Sequence, residues 1–268
     1  MRRYLKRFLI LFLGILIFLT SCGGRSRSLD DIKNADKIVV ALNAEFPPFE
    51  YRDGKNIVGI DVDIIRAYAD YIGVKCVIND MDFDATFLSV YSGKADVAIS
   101  GITVNEKRKR SFAFTESYYN SSQVVIVRDD SEYVNAESLD ELLELLSRNE
   151  ASIGVQRGTV GEYYSSGDES WGFSGIPNTE TISYDNGALA FEKLSNNALD
   201  AVILDEAPAI MIAKKYNNVK VLDYVLTEEE YAIAVQLGND SLCESLNEFI
   251  NKIKSDGTLD SILEKYYE

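Results

Sequence analysis

Apolar and polar positions along the chain fall into three textures. Residues 8–19 are an uninterrupted apolar run directly behind Arg2, Arg3, Lys6 and Arg7. A helix over that run rises only about 18 Å, at about 1.5 Å per residue, against a hydrocarbon core of about 30 Å. A basic stretch before so short an apolar one predicts an export signal over residues 1–21 rather than a membrane span. Residues 22–35 (CGGRSRSLDDIKNA) are small and polar without an apolar period, which predicts a flexible tether. From Lys37 onwards, short apolar runs of β type alternate with stripes of helical period.

Lys37–Leu42 (KIVVAL) predicts a strand, closed by the Pro47-Pro48 turn. Asp61 is placed to cap a helix that carries Ile64, Ile65, Tyr68, Ala69 and Ile72 on one face and stops at Gly73. Residues 74–78 predict a strand, residues 84–92 a helix ending before Gly93, and residues 95–100 a buried strand. The order β-α-β-α-β points to an α/β sheet. A second unit repeats it. Strands are predicted over 123–127, 151–155, 201–204 and 219–222, with helices over 186–197 and 207–216. Ser138 and Glu141 form a capping box for a helix over Leu139–Arg148. A strand over 231–235 then leads to closing helices over 242–255 and 259–266. Each unit is about 100 residues, the size of one core.

Composition removes function classes. The 268 residues carry 43 acidic and 27 basic groups, a formal charge of −16, and no histidine. Such a chain repels polyanions, so nucleic acid is not a partner. Without histidine there is no Ser-His-Asp or Cys-His catalysis and no His-ligated zinc, and three scattered cysteines form no metal cluster. No cofactor is implied. Cys76 and Cys243 are expected to be buried free thiols.

Leu19-Thr20-Ser21-Cys22 followed by Gly23-Gly24 resembles the bacterial lipobox, where cleavage precedes a diacylated cysteine. That implies Cys22 as the lipidated first residue of the mature chain, held in a membrane by acyl chains worth about 0.8 kcal/mol per buried CH₂. Loss of Arg2, Arg3, Lys6 and Arg7 takes the formal charge to −20.

Residues 58–63 (VGIDVD) resemble the "G-[FI]-D-x-D" signature of the bacterial family 3 extracellular solute-binding proteins, the polar amino-acid receptors of ABC importers. The resemblance continues through residues 93–96 (GKAD), 100–108 (SGITVNEKR), 112–119 (FAFTESYY), 154–159 (GVQRGT), 200–205 (DAVILD) and 256–267 (DGTLDSILEKYY). It implies a two-lobed, type II periplasmic-binding-protein-like fold: two α/β lobes joined by two hinge strands, with the ligand in the cleft. Lobe 1 would be residues 36–121 and 228–268, lobe 2 residues 122–227, with crossings near 119–123 and 227–231.

A free amino acid carries a carboxylate and an ammonium, and burying either without a partner is costly. The resemblance implies Arg108 for the carboxylate, its planar fork suiting a bidentate pair. A surface arginine in the charged run over residues 106–110 is the plainer alternative. Asp205 matches the carboxylate that takes the ammonium; it also stands where it could cap the following helix. Ser100, Gly101 and Thr103 match backbone and hydroxyl contacts, and Thr159 a contact from lobe 2, while Val160 departs from the threonine or glycine usual there. Phe46 and Phe83 match aromatic walls around the ligand side chain, although phenylalanines more often fill cores. Asn43 and Gln156 would sense that side chain. Neutral Asn43 points towards a neutral polar amino acid; Glu45 keeps a cationic one open, and Leu204 stands where some relatives are polar.

The implied function is a lipid-anchored, extracytoplasmic monomer, in the periplasm or on the outer cell surface, that closes on a polar amino acid and delivers it to an ABC permease. No covalent step is involved, so the expectation is a protein that is not an enzyme. Two alternatives stand beside it. One is an exported dehydratase on the same scaffold, with Glu45, Glu50 or Glu116 as acid or base; the other is a ligand sensor for a separate signalling partner.

Overall fold

Among the described residues, the chain's β-branched runs collect into two sheets of five strands each, and the central strands Lys37–Leu42, Val97–Ala98, Gln123–Arg128, Ser152–Gln156 and Ala201–Asp205 are largely buried. The computed structural model describes Gly24 and residues 26–267; the export signal and Cys22 lie outside the described residues. Among the described residues no helix is long and apolar enough to cross a membrane.

The first sheet has the order β5-β1-β6-β15-β7, from Lys75–Asp80, Lys37–Leu42, Val97–Ala98, Ala234–Gln236 and Phe112–Phe114. β1 runs parallel to β5 and β6; β15 returns from the far end of the chain and pairs antiparallel with β6 and β7. Of the strand expected over 95–100, only the two residues of β6 pair as strand. The second sheet has the order β11-β10-β12-β9-β13, from Glu180–Tyr184, Ser152–Gln156, Ala201–Asp205, Gln123–Arg128 and Val219–Val221. There β10 is parallel to β11 and β12, while β9 is antiparallel to β12 and β13. Between the lobes, β8 (Tyr119–Ser121) and β14 (Glu229–Tyr231) form a two-stranded antiparallel ribbon, Tyr119 opposite Tyr231. A short meander, β2 (Glu45–Phe46), β3 (Glu50–Asp53) and β4 (Asn56–Val58), follows β1.

The tether expected over residues 22–35 is not borne out over its last part. Leu29–Asn34 is a helix, α1, begun by a capping box in which Ser28 Oγ accepts the Asp31 N–H. Its Ile32 is fully buried in the first lobe's core. Arg27 pairs with Asp96, which also accepts the Val39 N–H, and the Arg27 carbonyl accepts from Asn239 at 2.9 Å. One buried isoleucine and an ion pair thus fasten a segment whose composition is otherwise that of a linker.

The helices that follow are α2 (Ile60–Ile72), α3 (Phe83–Tyr91), α4 (Glu106–Lys109), α5 (Leu139–Arg148), α6 (Val160–Ser166), α7 (Gly187–Ser195), α8 (Glu206–Ala213), α9 (Asp240–Ser255) and α10 (Thr258–Tyr267). Burial of Ile60, Ile64, Ile65 and Tyr68 on α2 is the helical stripe read from the sequence. Each such side chain contributes about 1.5–3 kcal/mol. Asp61 does not cap this helix. Gly59 holds the cap position, at φ 136°, and has no side chain to cap the helix; its own N–H donates to the Tyr266 hydroxyl at 3.1 Å. A Cβ at Gly59 would meet the Phe49 carbonyl oxygen at 2.1 Å, so only glycine lets the chain turn into α2. Cys76 and Cys243 are free, as expected, but only half-buried.

Candidate functional site

Strand ends bring the site together. β1 delivers Asn43 just past its C-terminus; the segment after β6 delivers Ser100, Gly101 and Thr103; β10 ends at Gln156; β12 ends at Asp205. In α/β sheets the carboxyl ends of strands open on the ligand crevice. Here both sheets turn those ends to one narrow cavity, lined by Asn43, Phe46, Glu50, Phe83, Ser100, Gly101, Thr103, Arg108, Gln156, Thr159, Val160 and Asp205. All ten residues singled out in the sequence therefore lie on one wall system. Glu50 and Val160 are additional.

Arg108 lies on the short helix α4, whose start is capped by Asn105: its Oδ1 accepts the Arg108 N–H at 2.8 Å. The guanidinium donates through Nη1 to the Thr103 carbonyl at 2.6 Å and through Nη2 to the Gly158 carbonyl at 3.1 Å. Its carbon stands 4.9 Å from the Phe87 ring centre and 5.0 Å from that of Trp171. Burial pushes its pKa down to about 10, against the pull of Glu229, Tyr163 and Asp205, so it remains a cation at neutral pH. This is not a surface arginine: 7% of it is exposed.

Asp205 stands at the N-cap position of α8, yet its side chain makes no cap hydrogen bond. Instead it accepts from the Tyr231 hydroxyl of the hinge ribbon. Burial, and then the nearby Glu229 carboxylate, push its pKa up to about 7; the Tyr231 hydrogen bond opposes the shift. A buried carboxylate without a cation is a costly arrangement that an ammonium would relieve.

The hydroxyls expected at the site are committed to protein partners. Ser100 Oγ accepts the Asn43 N–H at 3.0 Å and donates to Glu50 Oε1 at 2.8 Å. Thr103 Oγ1 donates to Glu229, and Thr159 Oγ1 to the Gln156 carbonyl at 2.7 Å. The Gly101 N–H donates to Asp61 Oδ2 at 2.8 Å. Gly101, at φ 53°, is a glycine for a steric reason: a Cβ there would come within 2.6 Å of the Phe46 ring. Asn43 Nδ2 donates to the Met81 carbonyl, and its Oδ1 accepts from Gln156 Nε2 at 3.3 Å across the cleft. Gln156 Oε1 is buried and reached by no donor among the described residues.

Glu45 does not enter the cavity. Exposed, it accepts from Asn186 of the second lobe at 2.6 Å, so it is no counter-ion for a ligand side chain. Trp171, Glu229 and Tyr231 surround the charged pair and were not singled out in the sequence. Trp171 is the chain's one tryptophan, in a polar stretch where core packing is an unnatural role, and that was the available signal. Glu229 lies in a run of three glutamates that reads as solvated surface.

Residues 38–268 match the family model of bacterial extracellular solute-binding proteins, family 3. The chain is 31% identical over 256 residues to a probable histidine-binding protein of Neisseria gonorrhoeae, covering 93% of this chain and 90% of that one. It is 30% identical to ABC transporter arginine-binding protein 1 of Escherichia coli, over 87% of this chain and 91% of that one. A crystal structure of an amino acid ABC transporter substrate-binding protein from Streptococcus pneumoniae, bound to L-arginine, superposes with a TM-score of 0.78 at 32% identity. That match covers 90% of this chain and 98% of the other.

Proposed function

We propose, for a chain that belongs to the bacterial extracellular solute-binding proteins, family 3, that its ligand is an L-amino acid whose side chain ends in N–H donors: an amide, an imidazole or a guanidinium. The protein is a solute receptor of the kind that serves ABC transporters. The observation that carries the ligand class is one cavity lined by a buried cation, a buried carboxylate and a donor-less Gln156 oxygen. Arg108 would take the α-carboxylate and Asp205 the α-ammonium. Phe46 and Phe83 would flank the side chain, and its terminal N–H would satisfy Gln156 Oε1. An acidic side chain would meet that oxygen as a second acceptor and be rejected. The histidine and arginine named for the relatives both fit the donor requirement.

Residues 36–121 and 228–268 would move against residues 122–227 about the β8–β14 ribbon. Because Arg108 and Asp205 come from opposite sides of the hinge, a zwitterion completes both pairs only when the lobes are closed, and the ligand so favours that state. Cys22 would carry the lipid anchor, and a membrane permease would receive the cargo.

A thermal-shift screen of the chain from Gly24 against the twenty amino acids, cystine, ornithine and citrulline tests the reading. A ligand at about 100 times its Kd stabilises by about 2.7 kcal/mol. The expected hits are arginine, histidine, glutamine or asparagine, lost in Arg108→Ala and Asp205→Ala. A hit confined to aspartate or glutamate overturns the ligand class, and a flat screen overturns the amino-acid assignment.

A further inference from the structure

We propose that Glu50 and Asp61 share a single proton, carried on Glu50 and donated to Asp61, and that this buried acid pair positions the Ser100–Gly101 wall of the cavity. It rests on the reading above only for what that wall faces.

Glu50 opens β3 and lines the cavity; Asp61 sits in the first turn of α2; both are fully buried. Their hydrogen-bond donors are unequally divided. Glu50 Oε1 accepts one hydrogen bond, from Ser100 Oγ at 2.8 Å. Asp61 Oδ2 accepts two, from the Gly101 N–H at 2.8 Å and the Tyr118 hydroxyl at 2.9 Å. The remaining oxygens, Glu50 Oε2 and Asp61 Oδ1, are buried, and no backbone or side-chain donor among the described residues reaches them. The two carboxyls are placed side by side: their donors Ser100 and Gly101 are consecutive residues, and the Asp61 N–H donates to the carbonyl of Phe49, the residue before Glu50, at 2.9 Å.

Two carboxylates so placed, away from water, repel strongly; two neutral acids would leave the donors on Asp61 facing a poor acceptor. One proton resolves both difficulties. Asp61, with two donors, is the better anion, so the proton belongs on Glu50 Oε2 and points at Asp61 Oδ1. Burial first, then Asp61 and Asp205, hold the Glu50 carboxyl well above the usual range. Burial pushes Asp61 to about 6, the Gly101, Glu50 and Tyr118 hydrogen bonds opposing it.

The groups facing the pair come from every side: Tyr118 ahead of β8, Asp205 at the end of β12, and Tyr267 on α10. Each is acidic or neutral, so none offers a charge that would compensate a second anion. Asn43, Ser100 and Gly101 all hang on the two carboxyls, directly or through one hydroxyl. Loss of the proton as pH rises therefore places an unpaired charge behind the wall and loosens the segment that carries it.

The test needs no ligand, so a flat amino-acid screen leaves its outcome intact. Glutamate labelled with ¹³C at the carboxyl is followed by NMR through a pH titration of the wild-type protein. One glutamate is expected to titrate well above the ordinary carboxylate range, and its resonance to be missing from Glu50→Gln. If every glutamate titrates near about 4.3, the proposal falls. The labelled wild type decides this even if the variant folds poorly. Glutamine keeps the acceptor for Ser100 and a donor for Asp61, so Glu50→Gln retains the fold while Glu50→Ala does not. The folded-state pKa is raised, so the proton's stabilisation is full at low pH and fades as pH climbs through the folded pKa. The wild-type folding constant relative to Glu50→Gln then falls about tenfold per pH unit above about 4.3, until Glu50 has titrated. Parallel pH profiles of the two proteins would equally overturn the pair.

Discussion

In the proposed binding mode, Asp205 is the side chain that a bound zwitterion would change most. With its pKa pushed up to about 7 by burial and by Glu229, it is half-protonated near neutral pH before any ligand arrives. An ammonium favours the anion, so ligand binding below about pH 7 must expel a proton. The sign follows: affinity is level above that pH and falls about tenfold per unit as pH drops below it. Calorimetry between about pH 5 and 8, in buffers of different ionisation enthalpy, should find proton release growing towards low pH. An affinity that does not move over that range would remove Asp205 from the ammonium site. In the ligand-free protein the raised pKa works the other way: its stability contribution is complete below about pH 3.9 and is lost as pH rises through about 7. Arg108 and Asp205 were legible in the sequence because each sits in a motif at a fixed step, five residues after Thr103 and directly behind the apolar strand AVIL. Glu50 was legible only as an acid beside a turn. Nothing local distinguishes it from a solvated glutamate, and its burial is a property of the packing of α2 and the segment after β6 against β3.

At the level of elements, periodicity worked where one face is dry and failed where burial is partial. The α2 stripe is present as read, and Ser138 caps α5, but the Glu141 carboxylate accepts from the Glu137 N–H at 2.7 Å, so only the Ser138 half of the expected capping box forms. β11 (ETISY) was missed because it is an edge strand with half-exposed positions, and the β2–β4 meander because its strands are two to four residues long. Helix α1 is the instructive case. A single turn and a half carries just Leu29 and Ile32 as apolar residues, too few to show a period. The available signal was Ser28 three residues ahead of Asp31, a capping box with aspartate in place of glutamate. If α1 is a true part of the first lobe, Ile32→Ala should destabilise the protein by about 2–4 kcal/mol. For a chain of this size that lowers the melting midpoint by about 2–4 °C per kcal/mol. A midpoint within a degree of wild type would return residues 28–34 to the tether.

For the whole molecule, the question is which of the protein's own contacts hold the lobes together. Several contacts already cross it: Arg108 to the Gly158 carbonyl, Gln156 to Asn43, Asn186 to Glu45, and Lys107 to Asp168 at 3.1 Å. The last two are solvent-exposed, and such pairs are worth about 0.2–1 kcal/mol each. The more substantial contact is aromatic. Trp171 and Tyr163, stacked with ring centres 4.2 Å apart, form a platform on the second lobe. Onto it α4 of the first lobe lays Lys107, 5.2 Å from the Tyr163 centre, and Arg108. Cation–π contacts contribute about 0.5–2 kcal/mol as they are desolvated. The same arginine that would bind the ligand carboxylate is thus seated by a residue of the opposite lobe, which couples ligand capture to closure. A ligand shifts the lobe equilibrium only by its differential affinity for the two states, so weakening the platform lowers the closed population and raises the apparent Kd by the same factor. Trp171→Ala should therefore weaken binding by about 2- to 30-fold, chiefly through faster release, since encounter with the open cleft is untouched. Because Trp171 is the single tryptophan, its fluorescence in the wild type reports the contact directly, and it should change on ligand addition with the binding isotherm. Unaltered release kinetics in Trp171→Ala, with a silent tryptophan in the wild type, would mean that the platform is bystander packing and that closure depends on the ligand alone.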